Sequence, residues 1–139
     1  MSARRKAREL TLKALYAYDI SGAEAEQVSN DIIVSSEIKP ESKKFSENLF
    51  FEVIRNVKEI DNLIKQHVKS WDFSRIASIE KNILRLGICE ILYFGDIPPA
   101  ISIDEAIELA KKYGDKDSKN FVNAVLDSIL KDMNKIIEK

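Results

Sequence analysis

Apolar residues recur every three to four positions along almost the whole chain, and no stretch shows the period-two alternation of a half-buried strand. Only four glycines and three prolines interrupt it, with no Asn-Gly or Asp-Gly hairpin signal. The pattern predicts an all-α fold of about seven helices. A first helix over about 3–20 carries Ala7, Leu10, Ala14 and Ala17 on one stripe, widened by Leu12, Leu15 and Tyr16, with Ser21-Gly22 as its stop. A shorter second helix carries Ala25, Val28, Ile32 and Ile33 and fades at Ser35-Ser36. The series Phe45, Leu49, Val53, Val57, Ile60, Ile64, Val68, Trp71 is too long to run unbroken, so a kink or turn is expected between 56 and 61, giving two helices.

The second half is more clearly marked. Ile76, Ile79, Ile83, Leu84, Ile88, Ile91 and Leu92 define a strongly apolar fifth helix ending near Gly95, and Pro98-Pro99 predict an extended link. Ser102-Ile103-Asp104-Glu105 reads as a capping box, with Ile101 and Ala106 as its hydrophobic staple. That helix should end at Tyr113-Gly114, with Lys111 and Lys112 near its negative end. After Asp115-Lys116-Asp117-Ser118, a last helix shows Phe121, Val122, Val125, Leu126, Ile129, Leu130 and Met133.

Composition narrows the class. At 139 residues, 45% apolar and 32% charged, with no long linker, the chain is expected to form one domain spanning 1–139. No apolar run approaches the ~20 residues of a spanning helix, so no membrane is expected. The basic start Met1-Ser2-Ala3-Arg4-Arg5 has no apolar signal core behind it, making a cytoplasmic location the expectation. One cysteine and one histidine give little from which to build a disulfide or a metal site, and no cofactor is expected.

A net charge of −1 argues, taken alone, against a nucleic-acid partner. Its distribution argues otherwise. Residues 1–13 hold Arg4, Arg5, Lys6, Arg8 and Lys13 against Glu9, a local +4 on a body of −5. Cations at a helix start oppose the dipole by about 0.3–1 kcal/mol each at low salt, so folding gives no account of them, whereas phosphate binding does. A solvated basic end without a partner is the alternative.

Catalytic readings are weaker. Asp104, Glu105 and Glu108 lie at a helix start, where capping and dipole compensation account for them. His67 falls on an apolar stripe with no evident partner, and Cys89 sits on an apolar helix, where a lone thiol acts as a small hydrophobe. No base or orienting group accompanies a nucleophile, and the glycines stand too far apart to cradle phosphate. The chain is not expected to be an enzyme.

Several spaced motifs carry a resemblance: Arg4-Arg5-Lys6-Ala7-Arg8-Glu9 with Ala14-Leu15-Tyr16, Glu80-Lys81-Asn82-Ile83-Leu84-Arg85-Leu86-Gly87 with Glu90, Asp96-Ile97-Pro98-Pro99, the run from Ile103 to Gly114, Asp117-Ser118, and Phe121-Val122-Asn123-Ala124-Val125-Leu126. Together they resemble the NusB family of transcription antitermination factors over essentially the whole chain, most weakly between 23 and 70. Two positions depart from the family pattern. Ala124 stands where glycine is usual, and alanine should preserve close helix contact there; Cys89 replaces a frequent aromatic residue.

The resemblance implies two small helical bundles sharing one core, without catalysis. It implies binding of the single-stranded boxA RNA of ribosomal-RNA transcripts together with NusE, a small-subunit ribosomal protein, within an antitermination complex on RNA polymerase. Carried over residue by residue, the RNA-binding motif is Arg4, Arg5, Lys6 and Arg8; Tyr16, Asp117, Ser118, Lys119 and Phe121 flank the RNA path, and the NusE surface includes Glu80, Leu84 and Arg85. Tyr16 and Phe121 would serve as stacking platforms, with core packing as their alternative. Four phosphate contacts would give a log-affinity against log-salt slope near about −3 on single-stranded RNA. Two other readings stay open: an RNA-recognition domain related to ribosomal-RNA cytosine methyltransferases, disfavoured by length and missing catalytic cysteines, and a pure protein-interaction module. The resemblance also leaves open a homodimer.

Overall fold

The computed structural model describes residues 2–68 and 73–138, with side chains through 134. Among the described residues seven α-helices run α1 (Ala3–Ser21), α2 (Ala25–Ser29), α3 (Pro40–Arg55), α4 (Val57–His67), α5 (Ser78–Tyr93), α6 (Pro99–Tyr113) and α7 (Ser118–Glu138). A π-helical turn, Asn30–Val34, extends α2, and a 3-10 turn, Phe73–Arg75, precedes α5. There is no strand among the described residues.

Local chemistry accounts for most boundaries. Ser2 caps α1 by accepting from the Arg5 amide at 3.1 Å. Gly22 closes the helix at φ 69°, its amide donating to the Tyr18 carbonyl, a left-handed cap that suits glycine. The break in the long apolar series falls at Asn56, where φ is −112° and the side-chain amide donates to the Glu52 carbonyl at 2.8 Å. Ile76, counted above as helical, lies just before α5 but is still buried. Trp71 lies outside the described residues.

The start of α6 corrects the capping-box expectation. Proline at the first helical position lacks only an N–H that has no intrahelical partner there, and its φ is already near the helical value. The helix therefore begins at Pro99, behind an extended Pro98. Ser102 and Glu105 become interior, buried positions, while Ile101, at 49% exposure, staples nothing.

The apolar residues form one connected cluster. Helix α1 packs on α3 and α5, α6 packs on α7, and α5 touches α1, α3, α4, α6 and α7. Its burial matches that central place, since nine of its residues, from Asn82 to Ile91, are buried on nearly all sides. Thr11 joins α1 to α3 through a 2.8 Å hydrogen bond with Ser46. No buried side-chain nitrogen or oxygen among the described residues lacks a partner.

The close helix contact expected at Ala124 lies elsewhere, because Ala124 is exposed. It occurs at Gly87, where an added Cβ would lie 3.1 Å from Leu126 Cδ1 and 3.5 Å from the Ala106 Cβ. A Gly87→Val substitution should overpack this three-helix junction and destabilise by about 1–3 kcal/mol, read as a lower urea midpoint at unchanged slope.

Candidate nucleic-acid interface

The basic motif opens α1, where successive residues are turned by about 100° around the axis. Four cations at positions 4, 5, 6 and 8 therefore cannot share one face. Ala7, Arg8, Thr11, Leu12 and Leu15 form the buried side. Arg8 lies within it, Arg4 stands one turn before Arg8, Arg5 lies at the flank, and Lys6 points away from the core.

Arg8 is a core residue. Its Nε donates to Glu90 Oε2 at 2.7 Å and its Nη2 to Glu90 Oε1 at 2.8 Å, a bidentate pair with side chains 4% and 0% exposed. Ser102 donates to Glu90 Oε1 at 2.9 Å, and Arg8 Nη1 reaches Glu105 Oε1 at 3.4 Å. Glu105 in turn accepts from Arg5 Nε at 3.2 Å and Nη2 at 2.6 Å. Two arginines and two glutamates thus form a balanced ladder joining α1 to α5 and α6. Glu105 is held by these arginines, not by a helix cap, and folding does account for Arg8. Arg4 and Arg8 also lie over the Phe45 ring, at 4.4 Å and 5.4 Å from its centroid.

Arg4 and Lys6 are exposed, and Arg5 keeps 42% of its side chain in solvent. Tyr16 is 38% exposed further along α1. Beside them Glu9 accepts from Lys112 Nζ at 2.7 Å and from the Tyr113 hydroxyl at 3.0 Å, pinning the end of α6 to α1. Burial would raise the Glu9 carboxyl, but the hydrogen bonds from Lys112 and Tyr113 and the charges of Lys112 and Lys13 outweigh it and hold the group below its usual 4.5. The following turn exposes Asp117 and Lys119, while Ser118 is buried and accepts from the Asp115 amide at 3.0 Å. Phe121 is half-buried against the core cluster.

The residues carried over for NusE separate. Glu80 is partly exposed, but Leu84 is fully buried in the core, where no partner reaches it. Arg85, carried over for the NusE surface, donates to both Asp61 oxygens at 2.8 and 2.9 Å and to Asn82 at 3.0 Å. His67, read above as unpartnered, meets Ser128 Oγ at 2.7 Å and Asp132 at 3.2 Å. Cys89 is buried, which pushes its thiol far up and leaves it unreactive. No cluster of three metal-ligating residues occurs among the described residues, and none of their helices is long and apolar enough to cross a membrane.

Three cations near the motif went unassigned in the sequence. Lys13 follows Lys6 by seven residues on one stripe, a signal that was available; Lys39 and Lys112 arrive through the fold alone. The model of the NusB family matches residues 5–131. The chain belongs to the NusB family. The transcription antitermination protein NusB of Salinibacter ruber is 41% identical over 134 residues, 96% of this chain and 84% of that protein. The solved T. maritima NusB is 33% identical with a TM-score of 0.87, covering 94% of this chain and 92% of that one. A chain from a crystal structure of antitermination factors NusB and NusE with dsRNA is 29% identical with a TM-score of 0.85, covering 94% and 98%. Within this NusB fold, Arg8 and Glu90 form the interior pair.

Two outcomes follow from this geometry. Arg8→Ala strands the Glu90 charge and should cost about 3–5 kcal/mol in denaturant unfolding, whereas Arg8→Met with Glu90→Met should recover most of it. A carboxyl held low in the folded state contributes stability above its unfolded value, and that contribution is lost as pH falls through the folded value. Glu9→Gln should therefore be less stable than the parent at pH 7, the gap closing below about pH 4.5 in thermal melts across pH 3–7.

Proposed function

We propose that this chain is a transcription antitermination factor that binds boxA single-stranded RNA of ribosomal-RNA transcripts with NusE and joins the RNA polymerase antitermination complex. It acts in the cytoplasm as one domain, as a binding protein without catalysis. The observation that carries this reading is the set of solvent-facing cations at the start of α1, held in a fold shared with an antitermination NusB crystallised with NusE and RNA.

The roles divide by exposure. Arg4, Lys6 and the open edge of Arg5 meet phosphates; Arg8 positions them from beneath. Tyr16 and Phe121 offer ring faces to bases. Asp117 and Lys119 flank the path on a turn that Ser118 shapes. Glu80 contributes to the NusE surface, while Leu84 and Arg85 support it from within. The solved relative holds double-stranded RNA, so preference for a single strand is a separate claim, and duplex competitor tests it.

Fluorescence anisotropy with boxA RNA, scrambled RNA and duplex, each titrated with NusE, should show boxA bound tightest and NusE strengthening it. With Arg8 withdrawn, three contacts give a salt slope near about −2, and Lys6→Ala should reduce its magnitude by about 0.7. Scrambled RNA bound as tightly as boxA at saturating NusE would overturn the assignment. RNA that adds nothing to NusE binding would favour a protein-interaction module.

A further inference from the structure

Two adjoining grooves follow the outward face of α1. One, about 530 Å³, is lined by Lys6, Lys39, Ile38 and Ser42 among others. The next, about 320 Å³, shares Lys6 and Ile38 and continues past Leu10 and Lys13 to Lys112. They form one trough with an apolar floor of Leu10 and Ile38 and four lysines around it, against Glu37 and a Glu9 already engaged by Lys112 and Tyr113. Lys6 and Lys13, seven residues apart, are nearly eclipsed on the helix, and the same outward stripe continues to Tyr16 and Ile20, the latter 63% exposed.

The opposite wall is fixed in advance. Ser36, in the link between the π-helical turn and α3, donates to the Ile33 carbonyl of that turn at 2.6 Å, and Lys43 of α3 donates to its Val34 carbonyl at 2.8 Å. An ordered wall costs less to engage than a loop that must be ordered on binding. Lys6, Lys13 and Lys39 make no ion pair with any described residue, so a ligand need not displace an internal carboxylate to reach them. Arg5 and Arg8 both hold such carboxylates.

We propose that the phosphate track of a single-stranded RNA runs through this trough, with Lys6, Lys13 and Lys39 as its main contacts and Tyr16 as the base platform at its far end. This rests on the RNA-binding reading above and adds Lys13 and Lys39 to its three contacts, which steepens the expected salt slope from about −2 to about −3.5. Cations on the rims hold successive phosphates while the apolar floor takes sugar or base faces, the arrangement that suits a flexible strand.

The test uses the full chain with NusE and boxA RNA across a salt series. Lys13→Ala with Lys39→Ala should lower the magnitude of the salt slope by about 1.4 and weaken binding on the order of tenfold at 0.15 M salt. Lys58→Ala, exposed on α4 and outside the trough, should change neither. Circular dichroism should show all variants folded, since each replaced side chain is exposed. An unchanged slope in the double variant, with tight binding by the parent, would overturn the lysine track and leave the RNA-binding reading standing. Failure of the parent itself to prefer boxA would remove that reading and the track with it.

Discussion

Everything at the start of α1 depends on the ion pair between Arg8 and Glu90. A charged pair with both side chains essentially out of solvent is tolerable only when each hydrogen-bonding position is used, because desolvation otherwise exceeds the mutual attraction. Here the guanidinium meets Glu90 through two hydrogen bonds, Ser102 takes a further position on that carboxylate, and Glu105 spreads the charge outward to Arg5. The arrangement adds little net stability over an apolar equivalent. It does fix rotation: turning α1 by one residue would carry Arg8 away from Glu90 and bring Ala7 or Glu9 toward a buried carboxylate.

That fixed rotation divides a motif that is continuous in sequence into parts with different work. The inner arginine holds the helix, the flanking one is shared between Glu105 and solvent, and the outer lysine is free. Positive charge at a helix start opposes the dipole, and the protein offsets this with carboxylates from α5 and α6 instead of acidic residues in the first turn. The −5 body noted from composition is therefore partly the lining of the basic end: Glu90 and Glu105 account for two of its charges.

The helices were legible because their signals are local. Apolar spacing placed all seven, Gly22 closed α1, and the break fell at Asn56, inside the window that excess length alone had defined. Most of the errors share a cause. Ser102-x-x-Glu105 has the spacing of a capping box, yet Pro99 started the helix one turn earlier and released both side chains to partners on α1 and α5. Leu84 stands on the apolar stripe of α5 and was carried to the NusE surface by resemblance alone, but α5 is enclosed on nearly all sides and the side chain lies in the core. His67 finds Ser128 and Asp132 only because α7 returns alongside α4. Lys39 joins the basic face through the link that packs beside α1. Apart from the start of α6, where Pro99 is a local signal, each depends on contacts distant in sequence, which periodicity does not encode; the angular separation of Arg8 from Lys6, by contrast, was present in the numbering from the beginning.

The ladder also sets an order of assembly. Arg8 finds Glu90 82 positions later in the chain, and Arg5 finds Glu105 100 positions later. During synthesis the basic segment emerges ahead of α5 and α6, and until they follow, Arg8 lacks Glu90 and Arg5 lacks Glu105. Contacts of such long sequence separation close late. A nascent or truncated chain ending before α5 therefore carries Arg4, Arg5, Lys6 and Arg8 without the two carboxylates that orient them, so that a correctly shaped basic face certifies that the C-terminal half has arrived and docked.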